Sequence, residues 1–152
     1  MAERNLHAFI DVAIIDTVPQ AIQHLAISDH ISRLGGKLVF YSMENSLTSR
    51  TQSVLAAAMR KSPAVDGVVF FRLEQFATDQ GLNLALMREM LAAGYSLHFL
   101  RERLSLETVA ELDAARGVLT AFAFSRDRRR EAGFMADACS ALQAMRAEAS
   151  AA

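Results

Sequence analysis

The chain has 152 residues, 52% hydrophobic and 22% charged, with 16 basic against 17 acidic side chains and a formal net charge of -1. That composition excludes a disordered chain and suits one domain, whose folding buries roughly two thirds of the unfolded surface. Without a basic excess, a surface built to grip a phosphate backbone is not expected, so nucleic acid is an unlikely partner.

The first element is HAFIDVAII (7–15), an apolar run with the make-up of a strand. A helix over 19–34 follows, opened by Pro19 and closed by Gly35-Gly36, with Ile22, Leu25, Ala26, Ile27, Ile31 and Leu34 as its apolar stripe. KLVFYSM (37–43) is the second strand; a helix over 49–61 has Ser49 as its cap and stops before Pro63. VDGVVFFRL (65–73) is the third strand, and a helix over 79–93 runs from an Asp79 cap to Gly94 with Leu82, Leu86 and Met90 on one face. YSLHFL (95–100) is the fourth strand. These runs are continuous more than alternating, the pattern of strands covered on both faces of a parallel sheet. Their starts fall near 8, 37, 66 and 95, an even spacing without a shared residue pattern, so they are successive strand–helix units and not a repeat.

After Glu102 the chain turns Ala-rich, with Ser105 as the expected cap. Either two consecutive helices follow, or one long helix weakened at Gly117 and Gly133; GVLTAFAF (117–124) fits a helix or a fifth strand. The expectation is an α/β fold: a four- to five-stranded, mostly parallel sheet with helices on both faces and a long C-terminal helical segment. Residues 1–104 form the α/β unit. Residues 105–152 extend the same domain and serve as an oligomerisation element.

Cys139 is the only cysteine, which excludes an intrachain disulfide and fits a reducing cytoplasm. The opening MAERNLHAFID lacks a signal-peptide core, and no apolar stretch approaches the ~20 residues that cross a bilayer. A soluble cytoplasmic protein with no membrane partner is expected. The loop DTVPQA holds no glycine, and no His, Cys or carboxylate cluster has metal spacing, so neither a metal nor a cofactor is expected.

In such a sheet the ligand crevice lies beyond the carboxyl ends of the strands. Those ends carry Asp16, Thr17 and Gln20; Ser42, Glu44, Asn45 and Ser46; Arg72, Glu74 and Gln75; and Arg101, Glu102 and Arg103. The opposite edge reads as turn chemistry. Asp16 and Thr17 either face a ligand or cap the first helix. Glu44 and Glu74 are either a general acid/base pair or separate solvated carboxylates. His98, inside an apolar strand, is either a hydrogen-bonded core residue or catalytic. His24 and Asp29 are surface residues, and SRDRRREA (125–132) reads as a solvated helix face.

The segments VDGVVFFRLEQF, LHFLRERLSL and LTAFAFSRDRRREAG, with DTVPQ after the first strand, resemble in order the catalytic domain of serine recombinases, the resolvases and invertases. The resemblance implies a resolvase-like fold and excludes its reaction. Asp16 stands where that family keeps its nucleophilic serine, and Ile14 where it keeps an arginine. Glu74-Gln75 and Thr78 replace the arginine-bearing turn, and Arg50 alone matches an active-site arginine. Strand exchange needs a hydroxyl nucleophile and cations around the phosphate. No helix-turn-helix domain is read after the helices.

VPQAIQHLAISDH (18–30), MENS (43–46), VDGVVFFRLEQF (65–76) and LHFLRE (97–102) resemble the small bacterial sporadic carbohydrate cluster proteins, over about residues 8–104. That family is recombinase-like in fold and associated with surface-polysaccharide gene clusters. The resemblance marks Pro19, Gln20, Gln23, Asp29, Glu44, Gln75, His98 and Glu102; MENSLTSR is less apolar than the family's stretch, which sets Ser46 and Arg50 apart. It implies a context of surface-carbohydrate biosynthesis and no reaction; the expectation built on it and on the polar strand ends is a protein that binds a small polar ligand such as a sugar or sugar nucleotide there. Glu44 and His98 are then the catalytic residues. Asp16, Gln20, Ser46, Arg50, Arg72, Glu74, Gln75, Arg101 and Glu102 are the ligand-binding ones. The alternative is a non-catalytic interaction or regulatory module. A homo-oligomer through the C-terminal helix is expected in either case.

Overall fold

A computed structural model describes residues 3–14, 16–44, 65–78, 81–124 and 128–151. The strands are β1 (Arg4–Asp11), β2 (Gly36–Glu44), β3 (Gly67–Phe70), β4 (Ala77–Thr78), β5 (Gly81–Leu82), β6 (Ser96–Phe99) and β7 (Leu104–Leu106). The helices among the described residues are α1 (Gln20–Arg33), α2 (Leu84–Ala92), α3 (Val109–Phe124) and α4 (Arg128–Ala151). Five strands form the main sheet in the order β2-β1-β3-β6-β7, parallel except for the antiparallel β6–β7 pair, and β4 and β5 make a separate ribbon. The expected α/β architecture, with its mostly parallel sheet, is the one observed.

The sheet is covered on both faces. On one, Ile27 and Ile31 of α1 pack against Leu6, Ala8, Ile10 and Val69. On the other, α2, α3 and α4 contribute Met87, Met90, Leu112, Leu119 and Leu142 to a core with Phe9, Val68, Leu97 and Phe99. Its centre is aromatic: the Phe70 ring lies 5.4 Å from Phe99 and 4.7 Å from Phe76 between centroids. Such pairs add about 0.5–1.5 kcal/mol each beyond the area they bury.

The α1 stripe is narrower than its sequence suggested. Gln23, Ile27 and Ile31 are buried, whereas Ile22 and Leu25 are 53% and 67% exposed. The helix ends as expected at Gly35, whose φ of 70° is the left-handed conformation glycine adopts without strain. α2 begins later than expected because Ala77–Thr78 pairs with Gly81–Leu82, and Asn83 caps it by accepting the Leu86 N–H at 3.2 Å. The helix expected over 49–61 lies outside the described residues.

The segment after Glu102 resolves one alternative and corrects one expectation. The fifth strand is β7, while residues 117–124 belong to α3. Ser105 is not a cap: it lies in β7, and Thr108 caps α3 by accepting the Glu111 N–H at 3.1 Å, while the Glu111 carboxylate accepts the Glu107 N–H at 2.7 Å. α3 and α4 pack on one another, and Arg146 near the end of α4 reaches Glu111 at 2.9 Å and the Ser105 carbonyl at 3.3 Å. The two helices therefore form a folded-back hairpin and not one long helix. No helix among the described residues is long and apolar enough to cross a membrane.

Candidate functional site

The chain reverses its direction of travel across the sheet at β1: β2 lies on one side of it and β3 on the other. In open α/β sheets that reversal opens a crevice at the carboxyl ends of the two central strands. Asp11 ends β1 and is fully buried. Its Oδ1 accepts the Ala13 N–H at 3.0 Å, which closes the tight turn Val12–Ile14, and its Oδ2 accepts from Arg72 Nε at 2.6 Å. Arg72 follows β3 in an extended conformation and also donates to Glu74 through Nη1.

The turn Leu73–Phe76 after Arg72 is held by two side chains. Gln75 accepts the Arg72 N–H at 3.0 Å and donates to the Phe9 carbonyl at 3.3 Å. Glu102, in the turn after β6, accepts the Leu73 N–H at 3.0 Å. From the helix side, Gln23 accepts the Asp11 N–H and donates to the Asp11 and Val18 carbonyls, each at 2.9 Å. Asp11, Gln23, Arg72, Glu74, Gln75 and Glu102 thus meet at the ends of β1, β3 and β6.

The electrostatics are those of a partly buried polar cluster. The Asp11–Arg72 pair is out of water, with side-chain exposures of 0% and 10%, so its attraction and hydrogen bonds offset a desolvation cost of several kcal/mol per ion. Burial pushes the Glu102 carboxyl up to about 7; backbone N–H bonds from Leu73 and Glu102 itself and the Arg101 charge oppose that, and the Glu74 charge adds to it. A carboxyl poised there exchanges a proton near neutrality, the property of a general acid or base. Arg103, at the end of the same turn, has a φ of 54° in the left-handed region, and its N–H donates to the Leu100 carbonyl at 3.2 Å.

Of the expected site residues, Arg72, Glu74, Gln75 and Glu102 come together. Asp16 and Gln20 are exposed, and neither is hydrogen-bonded to the cluster. Gln20 instead lines an open groove beside β2 with Ala21, His24, Leu25, Ser28 and Tyr41. Thr17 does not cap α1: its Oγ1 donates back to the Ile14 carbonyl at 3.2 Å, and Pro19 takes the cap position without a side-chain bond. Arg101 is exposed, with its N–H bound to the Phe71 carbonyl. Glu44 ends β2 with its Cα in register with Asp11; its side chain, and with it a Glu44–Glu74 pair, lies outside what is described, as do Asn45, Ser46 and Arg50. Among the described residues no group of three His, Cys, Asp or Glu side chains is placed to hold a metal ion.

His98 takes the core alternative. It is 1% exposed, Nδ1 is 2.7 Å from Ser105 Oγ and Nε2 2.9 Å from Ser96 Oγ, and burial lowers its pKa to about 4. Both ring nitrogens are engaged inside the sheet, as the core alternative expects. His7 is also buried and lowered to about 4 by desolvation, with Nε2 2.9 Å from Ser42 Oγ. Asp11, the centre of the cluster, was not singled out in the sequence. Its signal was a lone acid inside the apolar run HAFIDVAII, where a buried charge demands a partner.

Compared with protein families, curated proteins and solved structures, the chain matches none.

Proposed function

We propose that this chain acts in surface-carbohydrate biosynthesis in the cytoplasm, binding a small polar ligand such as a sugar or sugar nucleotide at the carboxyl ends of β1, β3 and β6. One observation carries the reading: the polar convergence of Asp11, Arg72, Glu74, Gln75 and Glu102 at the crevice position. The carbohydrate context rests on the sequence resemblance to the sporadic carbohydrate cluster proteins. So does the recombinase-like descent without recombination, since Asp16 and Ile14 stand in place of the nucleophile and its arginine. In this reading Glu102 moves the proton, Glu74 and Arg101 face the ligand, and Asp11, Gln23 and Gln75 hold the Arg72 turn in place.

The test is calorimetric titration of a panel of sugars and sugar nucleotides into the wild type, Gln20→Ala and Glu74→Gln. Saturable binding that Glu74→Gln weakens and Gln20→Ala leaves nearly intact supports the site; no binding across the panel removes it. A second reading, a non-catalytic interaction or regulatory module, is favoured by a specific fact. Gln23, Gln75 and Arg72 turn their donors onto the chain's own carbonyls and carboxylates. Under that reading the panel stays silent and a protein partner from the native host co-purifies.

A further inference from the structure

The large apolar side chains that are exposed among the described residues lie on two neighbouring elements, α1 and β2. Ile22 and Leu25 lie on α1, and Phe40, Tyr41 and Met43 on β2, each between 42% and 67% exposed. β2 is an edge of the sheet: β1 pairs with one side of it, and no described strand pairs with the other. Both of its faces are apolar at the outer end. Tyr41 and Met43 are in register with Ala8 and Ile10 on the α1 side, where the Tyr41 ring meets His24 edge-on at 5.5 Å. Phe40 faces the other way, its ring 6.1 Å from His7. Natural edge strands are commonly short or interrupted by charge or proline. β2 runs for nine residues, and positions 38–43 carry neither.

We propose that this edge is a homodimer interface, in which β2 pairs antiparallel with β2 of a second copy about a two-fold axis near Ser42 and the sheet continues across both chains. A strand that fits this edge must bring apolar side chains to both faces, and β2 has that pattern itself. The two-fold sets Tyr41 of one copy opposite Met43 of the other on the α1 side, an aromatic–thioether pair, with Leu25 alongside. Five side chains of roughly 200 Å² each, about half exposed, offer roughly 500 Å² per copy. The symmetric pair then covers roughly 1,000 Å², the lower end for a specific interface, before the ladder hydrogen bonds are added. A net charge of -1 leaves little long-range repulsion between copies. This interface is independent of what the strand-end crevice binds.

Sedimentation velocity over a micromolar concentration series tests it, on the wild type, the Leu25→Glu/Tyr41→Glu double variant and Met43→Lys alone. The wild type is expected to dimerise, the double variant to raise the dimer Kd by roughly a hundredfold, and both variants to keep the wild-type circular dichroism because the altered side chains are exposed. Hydrogen exchange on the wild type gives a reading free of mutation: amides of residues 38–43 gain protection as concentration rises. A wild type that stays monomeric throughout overturns the proposal. So does a dimer that persists at the same strength in the folded variants, which places the interface elsewhere, as on the C-terminal hairpin. Concentration-independent exchange across 38–43 overturns it even where a variant fails to fold.

Discussion

Glu102 and the two buried histidines push stability in opposite directions with pH. His7 and His98 are held at about 4 against an ordinary 6.5. Between those values the unfolded chain binds protons that the folded chain refuses, so their contribution is complete above 6.5 and is lost as pH falls. Glu102 is held at about 7 against 4.5, so in that interval the folded chain keeps the extra proton and stability declines as pH rises. Two histidines outweigh one carboxyl, so the sum rises until about pH 7, where the opposing slopes cancel. Glu102→Gln retains an acceptor for the Leu73 N–H and removes the titration. It should stabilise the protein by about 1–2 kcal/mol at about pH 8 and by little at about pH 5, read from urea unfolding at both. At this scale the sequence was only partly legible. His98 was correctly suspect as a polar ring among Leu97 and Phe99, but its partners Ser96 and Ser105 are set by the β6–β7 pairing, which no local pattern announces.

Two glycines in regular elements have opposite reasons to be there. Gly67 opens β3 between β1 and β6, and a Cβ there meets the Ser96 hydroxyl and lies 2.7 Å from the Ser96 carbonyl oxygen. Gly117 lies inside α3 with nothing within 4 Å of such a Cβ. Gly67→Ala should cost about 1–3 kcal/mol by forcing neighbouring strands apart, and Gly117→Ala should gain about 0.5–1 kcal/mol by removing backbone freedom from the unfolded chain. Chemical denaturation of the two single variants checks the sign of each. Long elements with clear punctuation were legible, as in α1 between Pro19 and Gly35 and in the continuous apolar runs of β1, β3 and β6. Short ones were not. β7 has three residues, and its partner strand supplies the ladder that makes it a strand. β4 and β5 have two residues each, and their pairing displaced the start of α2 from Asp79 to Leu84.

The whole molecule depends on its last third more than the word extension suggests. Leu104 and Leu106 of β7, Leu112, Ala115 and Leu119 of α3, and Leu142 of α4 belong to the same core as Phe9, Phe70 and Phe99. A chain truncated after Arg103 leaves that face of the sheet covered by α2 alone. It should lose cooperative unfolding and near-ultraviolet circular dichroism, whereas a self-sufficient α/β unit would keep both. The mostly parallel sheet was legible because continuous apolar strands alternating with helices call for right-handed crossovers and cover on both faces, whereas the strand order was not. The hairpin of α3 and α4 was not legible either, since periodicity cannot distinguish a long helix from one that doubles back.

That doubling back also decides which way the molecule faces. Arg146 returns to Glu111 and Ser105, and Arg4 at the start of β1 bonds Glu107 at 3.1 Å, so both are gathered at the margin of the sheet opposite the proposed crevice. A tether leading away from either segment holds the protein with its strand ends turned outward. A chip or bead coupled through these segments therefore leaves the ends of β1 and β3 on the side away from the attachment.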